Sequence, residues 1–136
     1  MSLRRPLARL ALGLLVLAAG ARADEPSGPR LALDPEQVDF GRVLQQRELR
    51  AQVRLRNFGD REWVLHELSA DCDCAAALLD QQGRRLAPGA SATLDVRLET
   101  RRSLGRIVRH VRLRSNDVAR PVVSVELVAE VLAGRR

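Results

Sequence analysis

The feature that most constrains how this chain can fold is a strict alternation of apolar and polar residues. Leu49, Ala51, Val53 and Leu55 interleave with Arg50, Gln52, Arg54 and Arg56. Leu94, Val96 and Leu98 interleave with Thr93, Asp95, Arg97 and Glu99. Val123, Val125, Leu127, Ala129 and Val131 interleave with Ser124, Glu126 and Glu130. Successive side chains of a strand point to opposite faces, so each run offers one apolar face and keeps the other wet. A helix would need an apolar period near 3.6 instead. Weaker strands are predicted at 31–33, 38–40, 63–69, 75–79 and 106–114. The fourth of these also suits a helical turn, since Ala and Leu favour helix. Turn signals separate the runs: Asn57-Phe58-Gly59-Asp60, Gln82-Gly83, Ala87-Pro88-Gly89 and Ser115-Asn116-Asp117. About seven strands at this spacing, with no convincing amphipathic helix, predict an all-β sandwich or barrel. The strand phases bury Val53, Leu55, Val96, Val111, Leu113, Val125 and Leu127, with Trp63 on or near the same core.

The N-terminus follows a different grammar. Arg4, Arg5 and Arg9 precede an uncharged apolar run from Leu10 to Gly20, and Ala21-Arg22-Ala23 has the small-x-small form that signal peptidases cut after. The run falls short of the roughly 20 residues that span a bilayer. Residues 1–23 are therefore expected to be a cleavable signal peptide, residues 24–30 a flexible leader with two prolines, residues 31–132 the folded domain and residues 133–136 a tail. Export places the protein in the periplasm or outside the cell. No later segment is apolar enough to anchor it, so no membrane span is expected. Whether Arg4-Arg5 marks twin-arginine rather than general export is left open.

Charge and composition narrow the function classes. The full chain carries a net charge of +6, but Arg4, Arg5, Arg9 and Arg22 leave with the signal peptide and no acid does. Every base is an Arg, which raises the isoelectric point without creating a general basic surface for nucleic acid. One Trp, two Phe and no Tyr leave no aromatic platform on which bases or sugars would stack. His66 and His110 alternate with apolar neighbours on strands and read as surface residues rather than general bases. No phosphate loop, nucleophile elbow or His-Glu-x-x-His motif occurs, so neither an enzyme nor a cofactor is indicated. Arg106, Arg112 and Arg114 share a strand face while Arg109 has the opposite parity, which reads as a solvated face.

The one pointed feature is Asp71-Cys72-Asp73-Cys74. In an extended strand Cys72 and Cys74 would share a face with Cα atoms roughly 6.5 Å apart, near the upper limit for a disulfide. Three readings stand side by side. The pair is two small side chains, free or bridged, at the sandwich edge. It is a pair of redox thiols, which the flanking carboxylates oppose because negative charge disfavours thiolate. Or it is a soft-metal site for Cu(I), with His66 or His110 as further ligands and no Met left after export to complete it. No tight metal site is expected, and an oxidising periplasm favours oxidation of the pair within the chain or to a partner.

Taken in order, Leu31-Ala32-Leu33-Asp34-Pro35, Val38-Asp39-Phe40-Gly41-Arg42-Val43, Leu55-Arg56-Asn57-Phe58-Gly59, Cys72-x-Cys74, Leu86-Ala87-Pro88-Gly89 and Ser115-Asn116-Asp117 form a pattern. It resembles the exported bacterial family called domain of unknown function 1573, kin to the Ig-like domains of ciliary Hydin-type proteins, over about Leu31 to Val131. The resemblance implies a seven-stranded immunoglobulin-like β-sandwich and no enzymatic activity. Three departures stand out. Asp73 and Ala75 replace the family's usual Gly and Thr around the cysteines, a Gly common near Gln46-Arg47 is missing, and Val118 stands where Pro often follows. Without Gly between the cysteines the backbone loses its easiest way to bend, which argues against a tight disulfide. The function expected from all this is a non-enzymatic protein-interaction or structural module of the cell envelope, with Cu(I) binding or thiol redox chemistry at Cys72 and Cys74 as the alternative. The identity of the partner and the oligomeric state are not read from the sequence.

Overall fold

A computed structural model describes residue 13 and residues 27–134, and every strand lies between Leu31 and Leu132. The signal-peptide and leader expectations for residues 1–26 fall almost wholly outside the described residues. Among the described residues nine strands appear in chain order: β1 (Leu31–Asp34), β2 (Gln37–Leu44), β3 (Glu48–Asn57), β4 (Trp63–Ala70), β5 (Ala75–Leu78), β6 (Arg85–Leu86), β7 (Ser91–Glu99), β8 (Gly105–Ser115) and β9 (Val122–Leu132). They form one sheet in the order β1-β3-β7-β5 and a second in the order β2-β9-β8-β4-β6. All pairs are antiparallel except β2 with β9. The fold is an all-β sandwich of immunoglobulin type, as the alternation and the resemblance predict. The segment at 75–79 resolves as strand rather than helical turn. The strand the pattern did not mark is β6, whose two residues are too few to show a period.

The strand phases follow the side-chain period. Val53, Leu55, Val111, Leu113, Val125, Leu127 and Trp63 are wholly buried, and Val96 is nearly so. β3 and β7 face the core from one sheet, β8 and β9 from the other. Trp63 is the one aromatic residue inside, because Phe40 is half-buried and Phe58 is exposed. The packing is otherwise aliphatic.

Buried polar groups pin the ends of the strands. Asn57 is fully buried at the end of β3. Its Nδ2 donates to the carbonyls of Arg61 (2.7 Å) and Leu86 (2.9 Å), and its Oδ1 accepts from the amides of Arg30 (3.2 Å) and Gly59 (3.0 Å). All four hydrogen-bonding positions of the amide are used, which is what a buried amide requires. Beside it, a Cβ on Gly59 would collide with the backbone of Gly28 and Arg30, so the turn needs Gly for close approach. Asp117, also buried, accepts from the amides of Leu31, Ala119 and Arg120 and pairs with Arg30 at 3.5 Å. The Ser115-Asn116-Asp117 turn is thus a clamp as well as a turn.

Gln46, in the β2–β3 turn, has φ +60°. That is the left-handed region where Gly is favoured. Its amide donates to the carbonyl of Arg101 (2.9 Å), whose own φ is +49°. Two non-glycine residues in this region thus face each other at one end of the sandwich.

Candidate functional site

The Asp71–Cys74 segment is the crossing from one sheet to the other. β4 ends at Ala70 in the five-stranded sheet, and β5 begins at Ala75 in the four-stranded one. Cys72 and Cys74 are joined to each other in a disulfide with Cα atoms 5.1 Å apart. This corrects the extended-strand picture, in which the two Cα atoms stand roughly 6.5 Å apart. The chain turns here, with the Ala75 amide 3.4 Å from the Cys72 carbonyl oxygen. Nor was a glycine needed, since Asp73 is not among the described residues with positive φ. The turn arises because the chain must change sheets within four residues, a demand no local pattern expresses.

Both carboxylates beside the cysteines are engaged. Asp71 continues the β4–β8 ladder, its amide donating to the His110 carbonyl at 3.1 Å. Its Oδ2 accepts from the His110 amide (2.8 Å) and lies 3.0 Å from His110 Nδ1. A carboxylate only accepts, so Nδ1 carries the proton of that contact. Its Oδ1 meets Arg112 Nη1 at 2.6 Å. Partial burial pushes the Asp71 carboxyl up, but the hydrogen bonds from Arg112 and His110 and the charge of Arg112 outweigh it and hold the group below the usual range.

On the other side of the bridge, Arg101 Nη1 meets Asp73 Oδ1 at 2.8 Å and Nη2 donates to the Asp73 carbonyl at 3.2 Å. Arg101 Nε donates to Glu99 Oε2 at 3.1 Å. The bonds to Asp73 and then Glu99 hold the guanidinium still more firmly protonated. The Glu99 amide in turn donates to the Cys74 carbonyl at 2.7 Å. A single guanidinium therefore grips the one-residue loop by side chain and backbone together.

The remaining charged and histidine residues fall away from this cluster or lie beside it. His66 is exposed at the β4 bulge, about 13 Å along the strand from Ala70. His110 is occupied by Asp71. Arg106, Arg112 and Arg114 are exposed, and Arg109 is half-buried on the opposite parity with Nη1 on the Val108 carbonyl (2.9 Å). Arg114 pairs with Glu67 at 3.0 Å. Two arginines of the strip thus meet separate acids, Arg112 on Asp71 and Arg114 on Glu67. With both sulfurs in the bridge, neither is a thiolate ligand for Cu(I), and no group of three metal-binding side chains occurs among the described residues.

Sequence reasoning found Cys72 and Cys74 but missed Arg101, which lies 28 residues away from Asp73. No local signal could have found it. As a staple the bridge contributes little, because the chain-entropy relation gives about 1.6 kcal/mol for a three-residue loop against about 3 for fifteen.

The family profile described as "Protein of unknown function (DUF1573)" matches residues 31–131. The chain belongs to this family. No curated protein matches it in sequence. Among solved structures, a protein of unknown function from Porphyromonas gingivalis W83 superposes with a TM-score of 0.65 at 20% identity, covering 76% of this chain and 47% of that one. The VesB protease of Vibrio cholerae gives 0.61 at 11% identity, covering 74% and 31%. The chain thus spans less than half of either. A PapD-like domain of human CEP192 gives 0.57 at 13% identity, covering 82% of this chain and 91% of that domain. At these identities the likeness is one of fold. This DUF1573 domain is an Ig-like β-sandwich, and none of its described helices is long and apolar enough to cross a membrane.

Proposed function

We propose that this DUF1573 protein is an exported, non-enzymatic interaction module of the bacterial cell envelope. It takes an extended segment of a partner protein along the free edge of β5. The observation that carries the reading is the difference between β5 and the other three edges. β2 is interrupted by a bulge between Asp39 and Arg42, where the Asp39 carboxylate takes the Gly41 amide at 2.8 Å. β6 has two residues, and β1, four residues long like β5, ends at Asp34 directly before Pro35. These are the ordinary ways of blunting an edge against strand addition. β5, Ala75–Leu78, has no charge, no proline and no bulge, and Leu78 is 70% exposed. Arg50, Gln52, Ala76, Asp95 and Arg97 line a shallow groove beside it. An unblunted edge with an apolar side chain at its end is suited to strand addition, where backbone hydrogen bonds give affinity and side-chain pockets give selectivity.

A photo-cross-linking residue at position 78, with a control at exposed Arg54, tests this in intact cells. The expected result is one discrete envelope-protein adduct from position 78 and none from position 54. Double replacement of Cys72 and Cys74 by Ser is expected to leave the adduct in place. Equal, diffuse labelling at both positions would overturn the reading. Export has its own test. Protein from the periplasmic fraction is expected to begin at Asp24 on N-terminal sequencing, and an intact Met1 recovered from the cytoplasm would refute the signal peptide.

A further inference from the structure

We propose that the Cys72–Cys74 disulfide is a thiol–disulfide exchange site whose substrate is an exposed thiol. The inference goes beyond the interaction reading and stands on different residues.

Three observations lead to it. The bridge is dispensable to the fold, because it closes over a single residue while the sheets on either side are held by long ladders such as β3–β7 and β8–β9. Opening it frees one turn and leaves the sandwich intact. The bridge is also within reach, since Cys72 and Cys74, half-buried against the core, lie in a turn with the exposed Asp73 between them. Exposed disulfides that stabilise little are the ones that exchange readily.

The third observation is electrostatic. Asp71 and Asp73 would disfavour a thiolate at Cys72 or Cys74 if their charges stood alone. They do not. Arg112 sits on Asp71 at 2.6 Å and Arg101 on Asp73 at 2.8 Å. Arg101 also bonds the backbone carbonyl inside the disulfide loop, so its charge is fixed at the bridge itself. β4 pairs with β8 through Ala70 and Val111, and the Asp71 amide bonds the His110 carbonyl. Arg101 reaches the loop from a left-handed backbone that a non-glycine residue adopts only against a steric cost. Such outliers gather where a side chain must be aimed.

The reaction conserves atoms and electrons. An incoming thiolate attacks one cysteine sulfur and forms a mixed disulfide, while the Cys72–Cys74 bond breaks and its electron pair leaves on the other sulfur. A second substrate thiolate attacks the mixed disulfide and releases the first cysteine. Two substrate thiols become one disulfide, Cys72 and Cys74 become a dithiol, and solvent supplies the protons they take up. The neighbouring arginines offset the carboxylates that would otherwise repel the departing thiolate, which keeps the first step from being slowed.

The test incubates the full native protein in reduced glutathione, and separately with a reduced unfolded polypeptide bearing one cysteine. Acid quenching, alkylation and mass spectrometry then count the free thiols. Reduction is expected under native conditions, with the thermal unfolding midpoint nearly unchanged. Whichever reagent reacts faster identifies the kind of thiol the site accepts. Arg101→Gln is expected to slow the reaction about threefold, and Asp73→Asn to speed it by a similar factor. That is the effect of a tenfold change in the acidity of the leaving thiol, and it should shrink in high salt. Circular dichroism on each variant separates loss of exchange from loss of fold. A bridge that neither reagent opens until denaturant is added would overturn the proposal. So would rates indifferent to both charge variants.

Discussion

Replacing Asp117 by Ala is expected to lower the unfolding free energy by about 3–5 kcal/mol, the range for removing one partner of a buried charged network. The carboxylate is 2% exposed and accepts from the amides of Leu31, Ala119 and Arg120 while facing the Arg30 guanidinium. Alanine leaves three amides and the cation without that acceptor, the Leu31 amide in a buried place that water reaches poorly. It also unties β1 from the β8–β9 turn, a connection 86 residues apart in sequence. Asp117→Asn keeps one acceptor oxygen but turns an NH2 group toward amides that need acceptors, so it should cost less than Ala and more than nothing. Urea denaturation of the three proteins measures this directly. An Asp117→Ala midpoint equal to that of the parent would show that the clamp does not hold the fold.

Leu55→Ala and Leu127→Ala are each expected to cost about 2–5 kcal/mol, through lost transfer energy and the cavity left behind. Both side chains are wholly buried, and they come from opposite sheets of the sandwich. With one aromatic side chain in the core, the aliphatic residues supply most of the interior contacts, and little bulk is available to relax into a void. Leu104→Ala, on a side chain 62% exposed, is the control and should stay within about 0.5 kcal/mol. The measurement is again the urea midpoint. If both buried replacements left it unmoved, the faces assigned to β3 and β9 would be wrong.

Much of the fold was legible because a strand's side-chain period is local. Val53 and Leu55 declare their face through Arg54 and Arg56 next to them, and the same holds for Val125 and Leu127. β5 was readable only as strand or helical turn, since Ala and Leu favour helix and four residues show no clear period. The candidate site was half legible. Two cysteines and two carboxylates in four residues mark a place where chemistry is possible, but their spacing was interpreted on a straight strand that the chain does not form there. Asp117 and Asn57 were legible as turn formers and not as buried clamps. Asx residues favour turns whatever they touch, so the pattern does not distinguish the two.

By itself, then, the sequence determined the class of fold, the phase of the long strands and the aliphatic core, because each depends on which residues adjoin along the chain. Only the tertiary structure decided the character of the cysteine loop. Change of sheet between Ala70 and Ala75 bends the chain, the β7–β8 turn brings Arg101 onto Asp73, and β8 brings Arg112 onto Asp71. A carboxylate reads as an uncompensated negative charge until its cation is located. Coulomb interactions depend on separation in space, and sequence separation does not report it.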